Sequence, residues 1–529
     1  MQLRASKFDR SSFRPSSHRL TALTLVTLLA SGCASVKPVA ITKEEHLQQR
    51  KTDAQAIRKD VEPITGALTL DEAIARALKY NLDRRVRMME EALALGQLDA
   101  SKFDMLPKIM AQAGYADRDR TRFTWSSRYP NGSPSSSNPA DSSTTSERTR
   151  TTADLGFTWS LLDVGLGYYG ARQQADRFLI AGEKRRKAMH LLMQDVRTAY
   201  WRAASAKLLK ADVATTIALA EEALSDSRKT AVERLKNPLE PLRFQRQLLE
   251  NLRLLENINQ ELSSAQIDLA ALINAPVGQA IDIATTNLDN IQDEMAQVPV
   301  DKLEEVALHN NPDLREQFYN ARIAREETRR TLVRLFPNIS FNYGTKYDSD
   351  RYLLDNQWNE AGLQLSFNLM NIFSADTLMK QAEAGANLAD QRRVAAHAAV
   401  LAQVHLSRLQ VINARSQFER ADAIFETDNN IAKVTRARQM AAAQSKLDVV
   451  SSETASILSL LRRYQAMAQV QVAENRMLAT LGLEPQIGST QELTLQELTK
   501  KLSDSKAPWQ EIMKESSQLN VSAIIKTGQ

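Results

Sequence analysis

Apolar and polar residues alternate in two short segments that each follow a proline: "KIMAQAGY" after Pro107 and "NISFNYG" after Pro337. Alternation with a period of two is typical of a β-strand with one apolar face. The residues before each proline have helical spacing instead, so the pattern predicts a helix that ends at the proline and is followed by a strand. The two prolines stand 230 residues apart, and this recurrence raises the question of a duplicated chain.

Other segments recur in the same order. The segment "LTLDEAIARALKYNLD" (68–83) resembles "VPVDKLEEVALHNNPD" (298–313), which makes Asn81 the counterpart of Asn311. Further along, "LGFTWSLLD" (155–163) resembles "LQLSFNLMN" (363–371), and "LINAPVG" (272–278) resembles "LGLEPQIG" (481–488). Four matches in one order predict an internal repeat. The first copy has the longer loop between its strands, rich in Ser, Pro, Asn and Thr.

Each copy contains two alternating segments of about ten residues. In the first copy they cover about 108–117 and 152–161, and in the second about 338–347 and 358–369. Apolar and aromatic residues on one side and polar residues on the other fit a transmembrane barrel with a wet lumen. A soluble sheet with one buried face is the alternative. Four strands cannot close a useful barrel, so a barrel would need several chains.

Very long helices are predicted for the rest of each copy. Residues 183–237, 242–275 and 386–481 contain no Gly or Pro, and a helix over 163–237 would be about 110 Å long. The apolar spacing within 244–272 alternates between four and three, as in a coiled coil. That seam comprises Phe244, Leu248, Asn251, Leu255, Ile258, Leu262, Ala265, Leu269 and Leu272. The Gly-rich "GLGYYG" (165–170), where a strand meets a helix, is interpreted as a flexible junction.

The N-terminal residues resemble an export signal. Five basic residues precede a short apolar stretch from Leu20 to Ala30, and the small residues Ser31 and Gly32 then precede Cys33, the only cysteine. This order is typical of a bacterial lipoprotein signal, in which the cysteine becomes the lipidated first residue. An ordinary signal peptide with an incidental cysteine is the alternative. Ala34 after the cysteine favours the outer membrane.

Charge and motifs indicate no enzymatic chemistry. The formal net charge is +5, but residues 33–529 contain 63 basic and 62 acidic residues, so nothing favours nucleic acid as a partner. The six histidines show no metal-ligand spacing, and no P-loop or GxGxxG motif occurs. We therefore predict no catalytic residue, no cofactor and no metal site.

Taken together, the repeated motifs resemble the TolC family of outer-membrane efflux channels over roughly residues 66–486. The resemblance implies an α+β membrane protein, a homotrimer in which four strands per chain form a 12-stranded β-barrel. Long helices would continue that barrel as an α-helical coiled-coil tunnel into the periplasm. It also implies a periplasmic adaptor (membrane fusion protein) and an inner-membrane pump of the RND or ABC type as partners, besides the outer-membrane lipid.

The resemblance also points to residues at the periplasmic tip of the tunnel. The family's hairpin pattern corresponds to Ala442, Ser445, Leu447 and Asp448 in the second copy. In the first copy it corresponds to Arg234, Asn237, Leu239 and Glu240, and the glycine of the pattern is absent from both copies. An acidic pore ring would correspond to Asp448, whereas the second acid of the family is replaced by Ser451. A solvated acid or a helix N-cap is the alternative role for Asp448.

The expected organisation follows from these segments. It comprises a signal peptide (1–32), a lipidated linker (33–66), the first efflux repeat (67–276), an equatorial connection (277–297), the second repeat (298–485) and an equatorial segment or tail (486–529). The expected function is that of the passive outer-membrane exit duct of a tripartite efflux or secretion system. A lipid-anchored periplasmic coiled-coil scaffold or adaptor without a pore is the alternative. The cargo cannot be read from the sequence.

Overall fold

A computed structural model describes residues 39–125, 142–233, 239–276, 278–279, 281–284, 298–441, 445–484, 490 and 492–504. The expected signal peptide, Cys33, most of the long first-copy loop and Asn237 lie outside these residues. The chain divides into two compact units, Met1–Asp60 and Val61–Gln529. The first contains helix α1 (Lys43–Arg58), which starts at a capping box between Thr42 and Glu45 and buries no residue.

The second unit contains nine further helices and a four-stranded sheet among its described residues. The helices are α2 (Leu70–Tyr80), α3 (Leu82–Lys102), α4 (Leu161–Glu233), α5 (Leu239–Leu272), α6 (Val300–Asn310), α7 (Pro312–Arg334), α8 (Met370–Met440), α9 (Lys446–Leu481) and α10 (Leu495–Asp504). The strands of that sheet are β1 (Lys108–Asp117), β2 (Thr149–Ser160), β3 (Asn338–Asp348) and β4 (Gln357–Ser366). Two short strands, Thr124–Trp125 and Ser142–Ser143, pair separately in a second, antiparallel sheet. The expected combination of long helices with an antiparallel sheet is confirmed.

The sheet joins the two repeats. Its order is β1-β2-β3-β4, with every neighbouring pair antiparallel, so that β2 of the first repeat pairs with β3 of the second. Ile109 lies opposite Phe157, Phe157 opposite Tyr343, and Tyr343 opposite Ala361. Odd-numbered residues thus pair with odd-numbered residues throughout, which puts most apolar residues of the four strands on one face, with Met110 and Trp358 on the other. The last strand ends at Ser366, because the Asn368 side chain then accepts a hydrogen bond from the backbone of Met370.

Helix α4, of 73 residues and therefore about 110 Å long, contacts α2, α3, α5, α7 and α9. Near the sheet it contacts α3 and α7; Arg322 of α7, for example, pairs with Asp176. Further along it contacts α5 and α9, where Arg197 bonds Asn475. Helix α8 contacts α7 and α9 in the same way. None of the described helices is long and apolar enough to cross a bilayer.

Two asparagines join shorter helices end to end. The Asn81 side chain caps α3 by accepting from Arg84 N–H and donates to the carbonyl of Leu272 at the end of α5. Asn311 does the same in the second repeat, capping α7 and donating to the carbonyl of Thr480 near the end of α9. Each bond satisfies groups that a helix end leaves unpaired. Asn81 thereby links the end of α5 to the start of α3, and Asn311 links the end of α9 to the start of α7.

The Gly-rich segment 165–170 differs from the flexible junction expected of it. It lies inside α4, which already begins at Leu161. A Cβ on Gly167 would lie 2.9 Å from the carbonyl oxygen of Asp104, and one on Gly165 would lie 3.0 Å from Val333. These glycines therefore allow neighbouring segments to approach α4 closely, which is a packing role.

Candidate functional site: the exposed sheet and the helical tips

The apolar face of the sheet is the exposed one. Ile109, Tyr115 and Leu363 on this face are 74%, 72% and 76% exposed. In the central strands β2 and β3, the residues of the opposite, polar face are more covered than the apolar ones. A soluble sheet has the reverse arrangement, because its apolar face packs on a core. An apolar outer face with a polar inner one is the pattern of a sheet that contacts lipid.

The polar face is lined by paired charges. Lys346 Nζ lies 2.6 Å from Glu360 Oε2 on the neighbouring strand, and Arg150 lies 3.2 Å from Asp348. These pairs join neighbouring strands, as cross-strand ion pairs do. The face can therefore border water without carrying a strong charge of one sign.

Strands β1 and β4 are the edges of this four-stranded sheet within one chain. Both have ten residues, and both are exposed along their whole length. An unpaired edge leaves backbone N–H and C=O groups without partners, which is not tolerated in contact with lipid. A sheet in a membrane must therefore pair these edges with further strands.

At the tip of the second repeat, Asp448 takes part in a helix cap. Ser445 precedes α9, and its hydroxyl accepts from Asp448 N–H, while the Asp448 carboxylate accepts from the Ser445 hydroxyl at 2.7 Å and from its N–H at 3.3 Å. The pair forms a capping box in which the N3 residue is an aspartate. Asp448 remains exposed, so one carboxylate both caps α9 and stays accessible.

The tip is also tied to the first repeat. Lys446 Nζ lies 2.9 Å from Glu222 and 2.9 Å from Asp226 on α4. Hydrogen bonding from Lys446 lowers the pKa of the Asp226 carboxyl. Leu447 packs against the small apolar cluster that α4 and α5 form near their tips. The residues around Asp448 are therefore held against α4.

The remaining candidates of the tip lie apart from Asp448. Ser451 Oγ accepts a hydrogen bond from the side-chain amide of Asn251 at 3.3 Å, so this serine lies between α5 and α9. Leu239 is the exposed first residue of α5, and Glu240 follows it in the same helix. Asn237 and Ala442 lie outside the described residues. The pairing with Ser451 gives the polar Asn251 of the predicted coiled-coil seam a partner that sequence spacing could not supply.

An exposed apolar seam on α3 was not singled out from the sequence. Leu82, Val86, Met89 and Leu93 follow one another at spacings of four, three and four, and all four are exposed. This is the spacing of a coiled-coil seam that lacks its partner helix. Helix α8 likewise exposes Ile424, Ile431 and Val434. The heptad spacing of the apolar residues within 82–93 could have predicted this seam from the sequence.

The arrangement of the described side chains does not favour a metal site. Among the described residues, no group of three His, Cys, Asp or Glu side chains could hold a metal ion. That the histidines are not metal ligands stays a prediction from the sequence.

Comparison with known proteins agrees with this architecture. Residues 303–483 match the family model "Outer membrane efflux protein". The structure is similar to the outer-membrane channel OprN, with a TM-score of 0.60 and 15% identity over 80% of this chain and 90% of that one. It is also similar to the Campylobacter jejuni CmeC outer membrane channel, with a TM-score of 0.60 and 13% identity over 94% and 98% of the two chains.

A third similar structure is the open state of the Neisseria gonorrhoeae MtrE outer membrane channel, with a TM-score of 0.54 and 16% identity over 78% of this chain and 89% of that one. The comparison with curated protein sequences gives no match. At these low identities the similar structures show a shared fold. Residues 303–483 therefore match an outer membrane efflux protein domain, and most of the chain shares the fold of outer-membrane channels.

Proposed function

We propose that the protein is the outer-membrane exit duct of a tripartite efflux or secretion system, through which cargo moves passively to the exterior. The observation that carries the proposal is the sheet, whose apolar face is exposed while its polar face is lined by ion pairs. The alternative is a periplasmic scaffold or adaptor without a pore, which would not require such a sheet. Nothing in the described residues favours an enzyme, so the channel would be a passive conduit.

A homotrimer would complete the duct. Three copies would pair β4 of one chain with β1 of the next and close a 12-stranded barrel without free edges. The exposed seam of α3 at one side of each chain would then pack against a neighbouring chain and continue the barrel as a wall of helices. A twelve-stranded barrel is wide enough to leave an aqueous lumen, since eight strands are just filled by side chains.

A passive duct requires partners that supply the energy for transport. A periplasmic adaptor and an inner-membrane pump, of the RND or ABC type, would deliver cargo to the tunnel. Exposed residues at the helical tips, among them Ser445 and Leu239, would be available for adaptor contact. The presence of an outer membrane efflux protein domain supports these partners, because channels of this kind work in tripartite systems.

The proposal predicts a conducting pore with a cation preference. Trimerisation would bring three Asp448 carboxylates around one axis, where like charges repel one another and attract cations. In planar bilayers we expect single-channel conductance, with Asp448→Asn lowering cation selectivity and weakening block by a trivalent cation. The N-cap Ser445 is unchanged and the amide oxygen of an asparagine at this position can still accept from Ser445 N–H, so assembly should persist.

Asp301→Asn is the matched control, since Asp301 is an exposed acid at the start of α6. It should leave the reversal potential unchanged. If Asp448→Asn also leaves the reversal potential and the cation block unchanged, Asp448 is not part of the gate. If the wild-type protein does not conduct at all, the duct itself is refuted.

We also propose that Cys33 carries a lipid that anchors the N-terminus in the outer membrane. The support is the small-residue segment before the only cysteine. Cells supplied with radioactive palmitate should label the wild-type protein and should leave Cys33→Ala unlabelled. Equal labelling of the two proteins would contradict the anchor.

A further inference from the structure

A cavity of about 360 Å³ lies between α4, α8, α9 and the first turn of α7. Its wall includes Lys187, His190 and Gln194 from α4, Arg476 from α9 and Asp313 from α7. The volume is within the range of small-molecule sites. The cavity lies in the helical part of the chain, away from both the sheet and the helical tips.

His190 lies in the wall of the cavity and is only 3% exposed. Both of its ring nitrogens are buried, without a hydrogen-bond partner among the described residues, and are closed to a ligand in the cavity. Burial lowers the pKa of His190 to about 4. The ring is therefore neutral near pH 7 and adds no charge to the cavity wall.

The charges around the cavity favour an anion. Lys187 Nζ lies 2.8 Å from Asp313 Oδ1, so these two charges offset each other. Among the described residues, Arg476 donates a hydrogen bond to the side-chain oxygen of Gln410 at 3.3 Å and pairs with no carboxylate. The N-terminal turn of α7 also borders the cavity, and a helix N-terminus attracts negative charge.

Apolar side chains complete the wall. Leu191 of α4 and Leu406 of α8 border the same space, and both are more than half exposed. A ligand would therefore meet an apolar surface on one side and a guanidinium on the other. This combination suits a molecule that has an apolar body and one negative group.

We propose that this cavity binds a small amphipathic organic anion, such as an aromatic carboxylate, with its carboxylate on Arg476 and its apolar body against Leu191 and Leu406. Gln194 would provide a further polar contact. The binding energy would come from burial of the apolar body together with the charged hydrogen bond to arginine.

The site can be placed within the duct, and this step rests on the proposed function. On α8, His405 contacts Glu304 of α6, with Nε2 2.7 Å from Oε1. The α8 residues at the cavity, Gln403, Leu406 and Gln410, lie on roughly the opposite side of that helix, by the helical repeat of 100° per residue. If α6 lies outside the tunnel wall, the cavity faces its lumen, where it would act as a subsite for anionic cargo.

The test is equilibrium dialysis of radiolabelled 2-naphthoate against the full-length protein in detergent, with empty micelles as the blank. We expect one saturable site per chain and at least tenfold weaker binding of the neutral 2-naphthamide. Arg476→Gln should weaken naphthoate binding about tenfold. Ala479→Phe, which fills the cavity from α9, should abolish binding even if Arg476→Gln perturbs the fold.

Arg462→Gln is the matched control, because it removes the same charge from an exposed position of the same helix, outside the cavity. It should leave binding unchanged. The proposal is overturned if naphthoate does not bind above the micelle blank, if it binds no better than naphthamide, or if Arg462→Gln weakens binding as much as Arg476→Gln. Bilayer conductance separates the two proposals: a conducting protein without naphthoate binding refutes only the site, and a protein that binds naphthoate without conducting refutes only the duct.

Discussion

Gly482 ends α9 in the left-handed region, with φ of 66°, and its N–H bonds the carbonyl of Ala479. The same residue lies against the link that Asn311 makes between α7 and α9. A Cβ at this position would lie 2.1 Å from the carbonyl oxygen of Asn310. Two independent constraints, one on the backbone angle and one on space, therefore select glycine here.

Gly482→Ala should lower the free energy of unfolding by roughly 2–4 kcal/mol, from the unfavourable φ and from overlap with backbone atoms that cannot move aside. Gly385→Ala is the opposite case, because Gly385 is an exposed residue inside α8 with open space around it. That change should raise stability by about 0.5–1 kcal/mol. Thermal unfolding followed by circular dichroism in detergent checks both. A lower midpoint for both variants would contradict the argument.

At the scale of elements, neighbouring residues of a strand meet different surroundings. Leu363 of β4 lies opposite Phe341 on the exposed apolar face, whereas Gln364 lies opposite Ser340 on the polar face. Both positions are near the middle of the proposed membrane span. The two residues therefore provide the sharpest test of which face contacts lipid.

Leu363→Arg should prevent stable insertion in the outer membrane, since an arginine facing lipid near the midplane costs about 2–4 kcal/mol per chain. Gln364→Arg should be tolerated because its side chain would enter the polar lumen. The measurement is the amount of each variant in purified outer membranes. Equal amounts of the two variants would reject the assignment of the faces.

The sequence was sufficient to predict the helices and strands but not the contacts between them. Alternation located all four strands, and Pro107 and Pro337 marked where a helix gives way to a strand, because both signals are local. The pairing of β2 with β3, the bond from Asn311 to Thr480 and the contact of Asn251 with Ser451 join residues 169 or more positions apart. No local pattern encodes such contacts. The matching of Asn81 with Asn311 signalled a shared role without showing what it was.

At the scale of the whole molecule, the exposed seam of α3 has no helix packed against it among the described residues. Its heptad spacing is the same as that of the predicted seam within 244–272. The chain buries that second seam against α4. A helix with such a seam gains stability only when another helix covers it. In the proposed trimer that helix belongs to the neighbouring chain.

Leu93→Glu places a charge in this seam and should shift the protein from trimer to monomer. Leu95→Glu makes the same exchange two residues away, at an exposed position outside the seam, and should leave the trimer intact. Size-exclusion chromatography with multi-angle light scattering reports the mass of the protein in detergent. A trimeric Leu93→Glu protein would show that the seam is not a subunit contact.

The exposed apolar face of the sheet also has a consequence for biogenesis. Until the barrel closes, each newly secreted chain presents that face and two open strand edges to water, which is the combination that drives aggregation. The helices pair their backbone groups internally and have no such open edges. We therefore expect the chain to cross the periplasm bound to a holding chaperone that covers the strands, and its assembly to couple trimer closure to membrane insertion in a single step.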